Sequence, residues 1–132
     1  MRFTLAGHTA RVVNASWSPD SRIIDTVSAD HTVKLWDAAT GKERVTLRGH
    51  TEQVLSAQFN GDGTRIVTAS DDGTAKLWDV ATGQELATLP GHTGGVQFAA
   101  WSYDGMRIVT ASADGTARQY VAGLSDLLAL GG

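Results

Sequence analysis

Residues 65–79, RIVTASDDGTAKLWD, decide the fold. Two short runs rich in Ile, Val, Thr and Ala flank a tight turn at Asp71-Asp72-Gly73. Extended runs of this kind on either side of an Asp-Gly turn predict a β-hairpin. The same passage stands at residues 23–37, IIDTVSADHTVKLWD, and at residues 107–121, RIVTASADGTARQYV. The interval is 42 residues each time (30 to 72 and 72 to 114 for the turn aspartate). A fixed period in this range means a repeat architecture, in which each unit buries its apolar face against the next.

Working outward from the hairpin, each unit gains a strand on either side. Upstream, VVNASWSPD (residues 12–20) ends in a turn at Ser18-Pro19-Asp20. The corresponding turns are Asn60-Gly61-Asp62-Gly63 and Ser102-Tyr103-Asp104-Gly105. Downstream, ATGKERVTLRG (residues 39–49) and ATGQELATLPG (residues 81–91) give a Thr-Gly turn and a fourth strand. Four short strands in about 42 residues describe one blade of a β-propeller. Gly7-His8, Gly49-His50 and Gly91-His92 keep the interval, as do Trp17, Phe59 and Trp101, and Ser28, Ser70 and Ser112. Trp36-Asp37 and Trp78-Asp79 keep it too, and give way to Tyr120-Val121 in the third unit.

The Gly-His pair, the turn aspartate and the Trp-Asp ending resemble the WD-repeat family over residues 2–121. The resemblance implies an all-β WD-repeat propeller with three four-stranded blades per chain. The repeats run approximately 7–48, 49–90 and 91–121 within residues 1–121, and residues 122–132 form a short tail. It departs from the family pattern at His31, where the other units carry Gly73 and Gly115, and at Tyr120-Val121. His31 must fill a turn position that glycine fills most easily.

Each unit holds a Ser, a His and an Asp, the ingredients of a hydrolytic triad. In WD-repeat blades, however, the resembling residues form a buried hydrogen-bond chain from Trp to Ser to His to the turn Asp. The implied chains are His8, Ser28, Asp30 and Trp36, then His50, Ser70, Asp72 and Trp78, then His92, Ser112 and Asp114, with Tyr120 in the Trp place. Three copies in adjacent blades suit a structural role better than a catalytic one. No catalytic, cofactor-binding or metal-binding residue is assigned: no His pair has HExxH spacing, the Asp71-Asp72-Gly73 turn lacks the later ligands of a calcium loop, and GxxxxGK[ST] is absent.

The ends of the chain carry a further expectation. RFTL (residues 2–5) resembles RVTL before Gly49 and LATL before Pro90, so it reads as an outer strand without a blade of its own. The third unit runs through three strands and then departs from the repeat. Three blades do not close a ring, since propellers typically have 4–8. The favoured expectation is that residues 2–5 close the last blade of a neighbouring chain, with Arg2, Phe3, Thr4 and Leu5 meeting Ala117, Gln119 and Tyr120. A nine-bladed trimer is favoured over a six-bladed dimer, because about 40° per blade is nearer the family's usual wedge than about 60°.

By position, the residues implied on the face bearing the Gly-His loops are Arg11, Val13 and Ala29, Gln53, Leu55 and Asp71, and Gly95, Gln97 and Ala113. The family binds peptides or proteins there. The formal net charge of −3 argues against nucleic acid, and no apolar run approaches the length of a membrane span. With no cysteine and no signal-peptide pattern, a cytoplasmic protein is expected. The leading functional reading is a non-enzymatic scaffold that binds itself and, on its top face, a peptide or protein. The second is a piece of the sensor propeller of a bacterial signalling NTPase, suggested by residues 122–132. A Ser-His-Asp hydrolase comes last.

Overall fold

A computed structural model describes residues 3–121 of the chain. Strands β1 (Val12–Trp17), β2 (Ile23–Ser28), β3 (Thr32–Asp37) and β4 (Glu43–Arg48) form one antiparallel sheet in sequence order. Strands β5 (Val54–Phe59), β6 (Arg65–Ser70), β7 (Ala75–Asp79) and β8 (Glu85–Leu89) repeat it. Strands β9 (Val96–Trp101), β10 (Arg107–Ser112) and β11 (Ala117–Val121) form the third sheet. The first two sheets are the four-stranded blades that the repeat predicts. The third sheet has three strands among the described residues, in line with the three strands read in the third unit.

Turn chemistry fixes the hairpins. Between first and second strands, Gly63 and Gly105 take φ of 74° and 73°, and Ser21 takes the same place at 61°. Between second and third strands, Gly73 and Gly115 take 89° and 88°, and His31 follows at 78°. Both non-glycine residues therefore stand in the left-handed region that disfavours a Cβ.

Each first strand carries a β-bulge at one repeated point. Val12 faces Ser28 and Asn14 faces Val27, so Val13 is the extra residue. Leu55 and Gln97 are extra in the same way. A bulge leaves a residue outside the ladder and re-aims its side chain.

The core lies between blades. Val27, Val33, Leu35, Leu47, Val54, Phe59, Ile66 and Trp78 fill the space between the first and second. Val67, Ala69, Ala75, Leu77, Leu89, Val96, Ala99 and Ile108 fill that between the second and third. Burying each such Val, Leu or Ile side chain contributes roughly 1.5–3 kcal/mol. Trp101 adds directional bonds, donating its backbone N–H to Gln58 Oε1 at 3.0 Å and its indole N–H to Gln58 O at 2.9 Å.

One residue breaks the apolar pattern. Asp25 stands where the other units have Val67 and Val109, and it is buried. Its carboxylate accepts the Ser16 hydroxyl, and burial pushes its pKa up to about 7. Ser56 Oγ, on β5, is buried without a hydrogen-bond partner.

Of residues 2–5, expected to form an outer strand, the described residues 3–5 belong to no strand in this chain. Phe3 lies over the β3–β4 turn at Gly41. Arg2 and the tail 122–132 lie outside the described residues.

Candidate functional site

The second strand of each blade delivers a threonine to the polar centre, and the third strand delivers the tryptophan. Trp36 Nε1 donates to Thr26 Oγ1 at 2.9 Å, and Thr26 Oγ1 lies 2.7 Å from His8 Nε2. His8 Nδ1 lies 2.8 Å from Asp30 Oδ2. Blade two repeats this with Trp78, Thr68, His50 and Asp72 at 2.9, 2.7 and 2.7 Å. One assignment satisfies every atom: indole N–H to threonine oxygen, threonine O–H to Nε2, and Nδ1–H to carboxylate.

The implied role of Ser28, Ser70 and Ser112 in this chain is therefore corrected; Thr26, Thr68 and Thr110 hold it. Ser28 ends its strand and turns to the loop, where its hydroxyl donates to Arg11 O at 2.9 Å and accepts the Asp30 N–H at 3.0 Å. Ser70 and Ser112 do the same with Gln53 O and Asp72 N–H, and with Gly95 O and Asp114 N–H. Each serine thus locks the turn that aims the aspartate. The threonines recur at the same 42-residue interval, two residues before the serines and on the same strand face, so the repeat offers both hydroxyls for the role without choosing between them.

Tyr120 does not replace tryptophan in the third blade. Its hydroxyl donates to Pro90 O at 2.7 Å. Thr110 still meets His92 Nε2 at 2.7 Å, and His92 Nδ1 meets Asp114 at 3.0 Å.

The electrostatics suit a closed structural network. Burial opposes ionisation of Asp30, yet hydrogen bonds from Thr32, His8 and the Thr9 backbone hold its carboxyl below the usual range. Asp72 is lowered likewise through Thr74 and His50, and Asp114 through Thr116 and His92. Burial pushes the His50 pKa down against the pull of Asp72, favouring the neutral ring the network needs. Thr26, Thr68 and Thr110 are buried, so no substrate reaches their hydroxyls. Among the described residues no three His, Asp or Glu side chains are grouped to hold a metal.

The face bearing the Gly-His loops is the candidate interaction surface. Arg11 Nη2 donates to Gln53 Oε1 at 3.3 Å, and Gln53 Nε2 donates to Asp71 Oδ2 at 2.6 Å, so a polar row crosses from blade one into blade two. In blade three that row ends at Gly95, where an added Cβ would come within 2.7 Å of Asp71 Oδ1. The bulged residues Val13, Leu55 and Gln97 flank the row. Ala29 and Ala113 stand at the loop position of Asp71, and Arg11, Val13, Asp71, Gln97 and Ala113 are exposed.

The family model described as "WD domain, G-beta repeat" matches residues 1–37, 41–79 and 83–120. The chain belongs to the WD-repeat family. Similar stretches occur in the WD-repeat chain's curated relatives. It is 54% identical over 37 residues to "Protein Mut11" of Chlamydomonas reinhardtii, covering 28% of this chain and 10% of that protein. It is 50% identical over 38 residues to "Protein HIRA" of Oryza sativa subsp. japonica, covering 29% and 4%. It is 51% identical over 35 residues to "Ribosome biogenesis protein WDR12 homolog" of Brugia malayi, covering 26% and 8%. The matched stretch thus spans a tenth or less of each of these relatives. All three are eukaryotic and lend the expected bacterial origin no support. WD repeats serve generally as protein-interaction scaffolds, and that coarse role holds for this chain.

Proposed function

We propose that this chain is a non-catalytic protein-interaction scaffold whose first partner is another copy of itself, joined head to tail into a closed propeller. The observation that carries this is a contrast at one repeat position. Val54 and Val96 are fully buried against the preceding blade, while Val12 is 46% exposed. Trp17 is 60% exposed where Phe59 is buried, and at the far end Val109 is 46% exposed where Val67 is fully buried. Each open face carries residues of the kind that fill the two internal blade contacts. The repeat makes a second copy the partner whose faces already match. The nine-bladed trimer belongs to this proposal, as does peptide or protein binding along Arg11, Gln53 and Asp71.

Size-exclusion chromatography with light scattering tests it. Three times the chain mass is expected, and twice would give the six-bladed ring. A mass of one copy at tens of micromolar overturns the reading and leaves the open faces to blades of a longer chain. The sensor-propeller reading rests on residues 122–132, outside the described residues.

A further inference from the structure

The two internal seams of the chain are built differently. In the seam between blades two and three, Gln58 and Val67 lie opposite each other. Val67 is fully buried, and Gln58 accepts both the backbone and the indole N–H of Trp101. In the seam between blades one and two, Ser16 and Asp25 stand at the positions of Gln58 and Val67, and Phe59 stands at that of Trp101. Ser16 turns its hydroxyl to Asp25 rather than across to blade two. Among the described residues, the one side-chain hydrogen bond that crosses this first seam is the exposed Arg11–Gln53 bond at 3.3 Å.

Asp25 lies inside the first seam. It stands opposite Ser16 on β1 and Leu35 on β3, and cross-strand partners share a sheet face. Leu35 packs with Val54, Phe59 and Ile66 of blade two, so Asp25 faces blade two as well, and it is 1% exposed. No titratable group meets it from the strands around it. Strands β1 and β5 contain none. On β3, Lys34 stands opposite Thr26 on the other face and pairs with Glu43 at 2.6 Å, while Asp37 accepts the Ala39 and Thr40 N–H groups of its own turn. On β6, Arg65 shares its face with Val67, which turns to blade three. A buried carboxyl without a countercharge either keeps its proton or draws water to itself. Burial accordingly pushes the Asp25 pKa up to about 7, with the Ser16 hydroxyl pulling the other way.

We propose that the first seam is a proton-operated joint: blades one and two close on each other while Asp25 carries its proton, and loss of that proton lets them part and water reach the carboxylate, while blade three stays seated on blade two. The sign follows from linkage. The closed seam binds the proton more tightly than the open one, so low pH favours closure. An open seam returns Asp25 to its ordinary value of 3.8. Between that value and the closed one, each unit of pH raises the opening constant about tenfold, and above the closed value it levels off. The Gln58–Trp101 bonds hold the second seam without a titrating group. The joint lies within one copy and stands whether or not copies associate.

Thiol labelling tests the joint, because the chain contains no cysteine. Val27 in the first seam and Ala69 at the same repeat position in the second are both fully buried. The variants Val27→Cys and Ala69→Cys are labelled with a dipyridyl disulfide, each rate divided by that of free cysteine at the same pH to remove the thiol's own titration. The Val27→Cys rate is expected to rise about a hundredfold between pH 5 and pH 7, to level off by about pH 8, and at pH 7 to outrun the Ala69→Cys rate about tenfold or more. Adding Asp25→Asn, or Asp25→Val after the other blades, should abolish the rise. Val54→Cys and Val96→Cys, also fully buried in the two seams, read the joint from its other wall and carry the test where Val27→Cys does not fold. No rise, a rise that survives Asp25→Asn, or equal rates in the two seams at pH 7, as whole-chain unfolding would give, overturns the proposal.

Discussion

His50 Nε2 and Thr68 Oγ1 stand 2.7 Å apart, and both residues are buried. That contact joins the strand carrying the threonine to the loop carrying the histidine. Thr68→Val keeps the volume and removes the oxygen, which strands both the His50 ring nitrogen and the Trp78 indole N–H. Leaving two buried partners unpaired costs about 2–4 kcal/mol. Thr110→Val strands only His92 Nε2, since no indole meets Thr110, and is expected to cost about half as much. Urea unfolding of the two variants measures the difference. Equal losses would remove the indole from the account.

Asp25 makes stability fall as pH rises. Its carboxyl, held at about 7 by burial against an ordinary 3.8, binds its proton more tightly folded than unfolded. The stabilisation is fully present below about pH 4 and is lost as pH rises through 7, a change on the order of 4 kcal/mol. Asp25→Val restores the residue type of Val67 and Val109. The variant's advantage over the parent should widen between pH 4 and pH 8, as read from unfolding midpoints. A pH-independent advantage would mean that the carboxylate is solvated.

His31 holds a φ of 78° in the turn where Gly73 and Gly115 stand near 88°. The left-handed region costs a residue with a Cβ roughly 1–2 kcal/mol. His31→Gly is therefore expected to raise stability by about 1 kcal/mol, after the added chain entropy of glycine is deducted. Thermal unfolding at neutral pH reads it directly, and an unchanged or lower midpoint would show that the imidazole makes a compensating contact.

Trp17 belongs to an open blade face, so its loss should tell on association rather than on folding. Trp17→Ala is expected to weaken assembly at least tenfold, as loss of a buried aromatic anchor does, while the far-ultraviolet spectrum stays that of the parent. Sedimentation across a concentration series gives the constant. An unchanged constant would place the contact elsewhere.

Strands, turns and repeat units were legible because they rest on local rules: alternation of apolar residues, Asp-Gly turns, and a 42-residue interval that displays each rule three times. The polar centre was legible only in part. Thr26 and Ser28 share a strand face and repeat equally well, and nothing in the letters says that the strand-end hydroxyl turns to the loop while the earlier one reaches the ring. Tyr120 posed a similar problem, for its aromatic ring suggested the tryptophan's role while its longer reach takes the hydroxyl to Pro90 O. Asp25 stood in plain view within an apolar run, but which blade face it occupies is a property of register between sheets. The three-stranded third blade followed directly from where the repeat stops.

The bulges at Val13, Leu55 and Gln97 separate what the protein presents from what holds it up. A residue inserted outside the ladder has no cross-strand partner to satisfy and no fixed place in the packing between blades. Val, Leu and Gln already occupy one geometric post in three neighbouring units, although the frame around them is nearly invariant. Recognition in such a protein can drift one blade at a time, by single substitutions, without renegotiating the architecture beneath.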